Sequence, residues 1–260
     1  DAENIMLELK QTLIQANNGA LNDDDLTALQ RLAENSLTHI LGVANTKDET
    51  GGYIFSGYQV DNQPFVIQPD NSVEYFGDSG VRELQIAKNV LVATNQAGDE
   101  AFEKVANHQG DFVAQYTNNS SGVSLNRAVI KDPSSYDTTN NPPDYNFNFS
   151  SATDLTVTDG LGNPVYTTNS YVPGQLIAFN GIETQLSGNP LPGDDFNLTP
   201  KADISLFDTV KGVIDWIGTG KSPANPVQHS VDYKELLGQL DQALEHMTSR
   251  RVDAGVRSKL

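Results

Sequence analysis

Cysteine is absent from this sequence of 260 residues, and tryptophan occurs only once. Without cysteine the chain can form no disulfide, no thiolate nucleophile and no cysteine-ligated zinc site, although this absence does not fix the compartment. The sequence also lacks any run of about 18 apolar residues, so no segment is predicted to span a membrane. The basic-then-apolar pattern of a signal peptide is not visible either.

Basic residues are scarce as well. The chain has 16 lysines and arginines against 34 acidic residues, which gives a formal net charge of −18 at pH 7. A surface this acidic repels nucleic acid backbones and anionic lipid, so we expect neither nucleic acid nor membrane as a partner. The same charge favours solubility, which a subunit needs before it assembles.

Both ends of the sequence lie inside helical patterns, with Asp1 at one end and Leu260 at the other. We therefore expect a fragment trimmed at both ends. The alternative is a mature chain whose ends happen to be helical.

No arrangement of residues indicates catalysis. The serine-rich runs contain no Gly-x-Ser-x-Gly motif, and Gly160-x-Gly162 is not followed by a helix. No histidine has a second ligand at metal spacing on an apolar face; the four are His39, His108, His229 and His246. We predict no catalytic residue, no metal site, no cofactor and no enzymatic activity.

Helical patterns occupy both ends of the chain. Apolar residues recur at three- and four-residue steps before Asn17-Asn18-Gly19, and a second helix follows the predicted N-cap Asn22. Ser205 is predicted to cap a helix over 206–217, and Ser230 a long final helix from Val231 onward.

Strand patterns lie between the helices. Residues 73–93 alternate around two turns and predict a β-meander, followed by a short helix after Gly98-Asp99. From about His108 to Pro200, turn signals recur roughly every 8–12 residues, which indicates an all-β module. Asn180-Gly181 predicts a hairpin there.

Taken together, the elements predict an α+β fold. An antiparallel helical bundle with a β-meander is built from both chain ends, residues 1–105 and 201–260, and an all-β domain is inserted at 106–200. The final helix is expected to pack against the first two.

Several local motifs carry a family resemblance. Residues 18–26 (NGALNDDDL) and the segments 240–244 and 250–256 resemble the core helices of the flagellin superfamily. Ala44-Asn45-Thr46-Lys47, the run Gly52 to Tyr58 and Pro64-Phe65 are similar to the hook–filament junction proteins, the third hook-associated proteins of that superfamily. Gly188 to Phe196 resembles a segment that hook-associated proteins share. The matches cover residues 1–105 and 175–260.

The resemblance implies a role and a set of partners. It implies a ring of subunits between the first hook-associated protein and the flagellin filament, outside the cell on the bacterial flagellum. It also implies export without a cleaved signal peptide through the flagellar type III channel, with a dedicated chaperone. The family's extreme terminal helices are missing here, so this chain alone is not expected to polymerise.

Eight residues are candidates for contacts between subunits: Asp23, Asp24, Asp25, Tyr58, Phe65, Arg250, Arg251 and Arg257. A charged helix start explains all three aspartates better than a cation site does, and the arginines are also explained as basic residues near a helix C-terminus. The aromatic residues of 53–65 form either a docking surface or a core that pins the loop, with Tyr53 and Phe55 assigned to the core.

Two alternatives stay open at this stage. The first is a flagellin-type filament subunit, because the helical body is common to both. The second is a glycan-binding adhesin module, which rests on the Tyr-, Asn- and Thr-rich residues 108–200.

Overall fold

A computed structural model describes residues 2–257, and for Val90 and residues 251–257 it describes the backbone only. Helices and antiparallel sheets are mixed along the chain, which confirms the α+β class. The chain divides into two compact units. Unit 1 comprises Asp1–Ala106, Asp203–Ser222 and Leu236–Leu260, and unit 2 comprises Asn107–Ala202 and Pro223–Glu235.

Amphipathic helices form most of unit 1. They are α1 (Ala2–Ala16), α2 (Asp23–Ala44), α3 (Leu206–Thr219) and the part of α4 (Pro226–Arg257) from Leu236 onward. Each buries one face at helical spacing, as Met6, Leu9 and Leu13 do on α1. α2 packs against both α1 and α3. α4 contacts α1 through the ion pair between Lys10 and Asp241.

The helix starts follow ordinary capping chemistry. Asn22 and Asp25 form a reciprocal capping box at α2, as predicted for the Asn22 cap. The predicted start of α4 at Ser230 is wrong, because the helix begins one turn earlier at Pro226. There the Asn225 side chain accepts the N–H groups of Val227 and Gln228. Proline is favoured at a first helical position because its missing N–H would be unsatisfied anyway.

Small two-stranded sheets complete unit 1, and they replace the predicted meander. β1 pairs with β2 and β3 with β4 as separate hairpins, and β5 pairs with β14. The predicted short helix after Gly98-Asp99 is a five-residue π-helical turn, Asp99–Glu103, and Val105 lies in a strand. The strands are β1 (Phe65–Ile67), β2 (Val73–Tyr75), β3 (Glu83–Ala87), β4 (Val90–Ala93), β5 (Val105–Ala106) and β14 (Asp203–Ile204).

Unit 2 contains two antiparallel sheets. The five-stranded sheet has the order β10-β9-β8-β13-β6 and the three-stranded sheet the order β11-β12-β7. Alternate side chains are buried, as Tyr145, Phe147 and Phe149 are on β8. The strands are β6 (Phe112–Asn118), β7 (Ser124–Ile130), β8 (Tyr145–Phe149), β9 (Leu155–Thr158), β10 (Pro164–Thr168), β11 (Leu176–Phe179), β12 (Ile182–Ser187) and β13 (Asp195–Pro200).

The predicted hairpin at Asn180-Gly181 joins β11 to β12. Both residues have positive φ, 45° and 77°, which the two-residue hairpin turn requires. A Cβ atom on Gly181 would lie 2.3 Å from the carbonyl oxygen of Asp132, so glycine is also required by space.

The compact units differ from the predicted domains mainly in one stretch, apart from shifts of one residue at Ala106 and two residues at 201–202. Residues 223–235 were assigned to the helical body, and they belong to unit 2. Whether the predicted segments are independent domains stays a prediction. Across residues 2–257, no helix combines the length and the apolar character needed to cross a membrane.

Candidate assembly surfaces

In the described part of the chain, no three histidine, aspartate or glutamate side chains are placed so that they could hold a metal ion. His246 is half-buried with its Nε2 atom 3.0 Å from the carbonyl oxygen of Glu100. Burial lowers the pKa of His246, and the positive charge of Arg250 lowers it further. The candidate functional site considered next is a set of exposed surfaces for contacts with other protein subunits.

Phe65 is not one of those surfaces. Its side chain is fully buried, with ring centroids 4.8 Å from Tyr75, 5.2 Å from Phe102 and 5.2 Å from Phe207. The prediction that Phe65 contacts another subunit is therefore corrected: Phe65 is a core residue, because aromatic side chains from distant parts of the sequence enclose its ring.

The aromatic loop that contains Phe65 is fastened by side chains. Asn45 donates from Nδ2 to the Phe65 carbonyl (2.8 Å) and accepts the Phe65 N–H at Oδ1 (3.0 Å). The Tyr75 hydroxyl lies 2.9 Å from the Asp78 carbonyl oxygen and accepts the Gly98 N–H. Burial raises the pKa of Tyr75 to about 12. The loop is therefore a tightly folded support.

The side chain of Tyr58 projects from this folded loop into solvent. It is 65% exposed, yet its hydroxyl donates to the Val81 carbonyl at 3.1 Å. Its backbone N–H donates to the Asp78 carboxylate at 2.9 Å. A Cβ atom on Gly80 would lie 2.3 Å from the ring, so glycine is what allows the ring to lie there. An exposed aromatic ring held in place loses little entropy on contact, so Tyr58 stays a predicted contact residue.

The hairpin of β3 and β4 in unit 1 exposes several large apolar side chains. Leu84, Ile86 and Leu91 are 58%, 50% and 59% exposed; we call these three residues the hairpin surface. Leu84 pairs with Val92, while Leu91 pairs with Gln85 and so projects from the opposite face. A two-stranded ribbon with exposed apolar groups on both faces is marginally stable by itself. This arrangement is typical of a surface that a partner covers.

A second apolar surface lies on the first two helices. Leu7, Ile14 and Leu32 are exposed, and we call them the helix surface. Beside Ile14 is a groove of about 550 Å³, lined also by Leu21, Ala28 and Leu29. Asp25 lines the same groove, while Asp23 and Asp24 are exposed at the start of α2. The structure therefore places one predicted contact residue, Asp25, beside apolar groups that the sequence did not single out.

The predicted basic contacts are described only in part. The Arg250 guanidinium lies 3.2 Å from the Glu100 carboxylate, and Lys104 also pairs with Glu100. Arg250 lines a groove of about 430 Å³ together with Glu83 and Leu91 of the β3–β4 hairpin. The side chains of Arg251 and Arg257 lie outside the described residues, so their roles stay predictions.

The hairpin surface was missed from the sequence. Leu84 and Ile86 alternate as residues of a half-buried strand do, and such alternation does not tell which face is covered. The sequence also predicted a longer meander, whereas the structure pairs β3 with β4 alone in a two-stranded sheet.

Comparisons with known proteins point to the flagellum. No protein-family model matches the sequence. The flagellar hook-associated protein 3 of Escherichia coli is 27% identical over 127 residues, which are 48% of this chain and 39% of that protein. The aligned part thus spans well under two thirds of this curated relative.

Solved structures match over nearly the whole chain. The flagellar junction protein FlgL from Legionella pneumophila is 30% identical with a TM-score of 0.74, covering 98% of this chain and 86% of that one. FlgL from Xanthomonas campestris has a TM-score of 0.78 at 24% identity, covering 98% of this chain and 83% of that one. The second likeness shows the fold alone.

Proposed function

The chain belongs to the family of the flagellar junction protein FlgL, also named flagellar hook-associated protein 3, and from this premise we propose that it is a structural subunit joining hook to filament. The observation that carries the proposal is the match to the Legionella protein, which extends over 98% of this chain. The relatives are structural proteins of the flagellum, and we propose no catalytic role for this chain.

The mechanism follows from packing. A junction subunit has to contact unlike neighbours and its own copies, so it needs several apolar surfaces that are uncovered in the free protein. The hairpin surface and the helix surface meet this requirement in unit 1. Tyr58 adds an aromatic ring of the kind that is enriched in protein interfaces.

The proposed neighbours are the first hook-associated protein on the hook side, flagellin on the filament side and further copies of this chain in a ring. The place of assembly is the extracellular end of the hook. Export without a cleaved signal peptide, assisted by a chaperone, is part of the same proposal.

Family membership favours this role over the two alternatives. A flagellin-type subunit would build long homopolymers by itself, whereas a junction subunit needs a different neighbour on each side. A glycan-binding module would act through unit 2 without any flagellar partner.

The decisive experiment uses the protein at its full natural length. It is added in limiting amount to purified hooks that carry the first hook-associated protein, with monomeric flagellin present, and filaments are observed by electron microscopy. Growth that depends on the protein, with none from the protein alone, supports the junction role. Long homopolymers from the protein alone, or no growth at all, contradict it.

The contribution of the hairpin surface is tested with a matched pair of variants. Leu84→Ser with Leu91→Ser changes two exposed leucines of the hairpin, and Leu161→Ser with Leu176→Ser changes two exposed leucines of unit 2. All four side chains are more than half exposed, so both variants are expected to fold with the wild-type circular dichroism spectrum. We expect filament growth to be lost only with the hairpin variant. Equal growth with both would remove the hairpin from the interface.

A further inference from the structure

A cavity of about 260 Å³ opens in unit 2, lined by residues of β6, β7, β12 and the first turns of α4. Its volume is several times the roughly 30 Å³ that one water molecule occupies in the liquid. Two buried apolar side chains, Leu125 and Val231, form part of its wall. The cavity therefore has both the room and the apolar surface to hold a small organic group.

Gln109 provides a fixed acceptor in this cavity, where it is only 4% exposed. Its backbone N–H donates to Asn107 Oδ1 at 2.9 Å, and its carbonyl accepts the Ala128 N–H at 2.8 Å. Its Nε2 atom donates to the Leu125 carbonyl at 2.8 Å, so turning the amide over would set two oxygens against each other. Among the described residues, none donates to its Oε1 atom. A buried acceptor in this position is one that a bound donor would satisfy.

The carboxylate of Glu235 on α4 is the second acceptor of the cavity. Glu235 is partly buried and accepts a hydrogen bond from the Gln109 side chain, which favours its ionised form. Both hydrogens of Gln109 Nε2 then have acceptors, and Oε1 still lacks a donor. In the described part of the chain, no lysine or arginine forms an ion pair with Glu235. A partly buried carboxylate is usually balanced by a positive charge.

We propose that this cavity is a binding site for a small alkylammonium ligand: the ammonium group donates to the Glu235 carboxylate and to Gln109 Oε1, and the alkyl chain packs against Leu125 and Val231. An ammonium group carries three donors and a positive charge, so it can satisfy both acceptors at once. Hydrogen bonds between charged groups are stronger than those between neutral ones, which favours an amine over an alcohol of the same shape.

The charges around the cavity select a cation over an anion. The carboxylate of Asp232 lies one helical turn before Glu235 and adds negative charge. Lys234 also lines the cavity, but it is an exposed residue, so water screens its charge. The other titratable residues of the lining are His108 and Tyr116.

The protonation of Glu235 gives the site a pH dependence with a definite sign. Burial raises the pKa of Glu235 to about 7, and Asp232 raises it further, whereas the hydrogen bond from Gln109 opposes both. Only the ionised carboxylate attracts an ammonium group. Affinity should therefore be greatest above pH 7 and should fall as the pH falls below that value.

The test uses the whole chain and n-butylammonium chloride as the probe, titrated by isothermal calorimetry at about pH 8. Two comparison ligands separate the contributions: 1-butanol has the same chain without the charge, and butyltrimethylammonium has the charge without an N–H donor. Chemical shift changes in ¹H–¹⁵N NMR spectra locate the bound probe. The variant Glu235→Gln removes the charge with little change of shape, and Glu245→Gln makes the same change at an exposed position of α4.

We expect saturable binding of n-butylammonium with a Kd on the order of 1 mM, as a ligand this small allows. The shift changes should centre on the Gln109 side-chain amide and on residues 124–126 and 231–235. Both comparison ligands and the Glu235→Gln variant should bind about tenfold more weakly or worse, and Glu245→Gln should match the wild type.

Three results would overturn the proposal. They are no saturable binding of n-butylammonium, shift changes elsewhere on the surface, and equal binding of butyltrimethylammonium by the wild-type chain. The last comparison needs no variant, so it holds even if Glu235→Gln fails to fold. None of these results depends on whether the protein joins hook to filament.

Discussion

Asp194 is the buried carboxylate on which the loops of unit 2 converge, and its replacement should cost more than that of any exposed aspartate. Its Oδ1 atom accepts the Ser120 N–H at 2.8 Å and the Ser120 hydroxyl at 2.9 Å. Its Oδ2 atom accepts the Leu191 N–H at 2.8 Å and the Ser121 hydroxyl. One carboxylate therefore joins the turn after β6 to the turn before β13.

The expected magnitude follows from the groups that would be left unpaired. Asp194→Ala orphans two backbone N–H groups at about 1–3 kcal/mol each, so we expect a loss of about 4 kcal/mol in the free energy of unfolding. Asp194→Asn keeps one acceptor oxygen and places an amide donor against the other N–H, so about half of that loss is expected. Chemical denaturation followed by far-UV circular dichroism measures both.

Asp132 provides a matched control. It accepts the Ser134 N–H at 3.0 Å and the hydroxyls of Ser134 and Ser135, a set similar to that of Asp194, but it is exposed. Water can replace its bonds, so Asp132→Ala should have a much smaller effect. If the two alanine variants lose equal stability, burial is not what makes the Asp194 bonds matter, and the reasoning fails.

The same carboxylate predicts a pH effect at acidic pH. Burial alone would raise the pKa of Asp194, but the hydrogen bonds from Leu191, Ser121 and Ser120 outweigh burial and hold the pKa below its ordinary value of 3.8. The stabilisation from Asp194 is therefore present above that value and is lost as the pH falls through the folded pKa.

Two further predictions test corrections to the expected structure. Phe65→Ala should lower the free energy of unfolding by about 3–5 kcal/mol because it empties a fully buried ring site, whereas Phe76→Ala, at a half-exposed ring, should lower it far less. Thermal unfolding measures both variants. Equal effects would contradict the burial of Phe65. Asn225→Ala should cost about 1–2 kcal/mol as the loss of an N-cap, whereas Ser230→Ala, at an exposed helical position, should be neutral or slightly stabilising. The opposite order in urea denaturation would place the helix start at Ser230.

Local signals in the sequence were sufficient for several elements. α1 and α2 follow from their apolar periodicity and from Asn22, and the β11–β12 hairpin follows from Asn180-Gly181. In each of these cases the deciding contacts lie within a few residues, so pattern and capping chemistry determine the outcome.

Contacts between distant residues account for what was missed. β13 pairs with β6, some 80 residues earlier, and both strands are rich in polar residues whose neighbours the sequence does not reveal. The start of α4 was misplaced at Ser230 although Asn225-Pro226 is a local helix-start signal, and the bond from Asn225 to Asn119 stabilises that start further. Phe65 could not be assigned to surface or core from the sequence because Phe102 and Phe207, which enclose it, lie 37 and 142 residues away in the chain.

The discontinuity of both units has a consequence for the order of folding. Unit 1 draws on three separated stretches of the chain, the last of which begins at Leu236. Strand β5 of this unit pairs with β14, about a hundred residues later, so the pair cannot form until both have been synthesised. The same holds for the ion pair between Lys10 of α1 and Asp241 of α4. Closing such long loops is slow because their entropy is lost before the contacts form. A chain interrupted before residue 236 therefore lacks part of unit 1 and can be distinguished from a finished subunit by its uncovered helices.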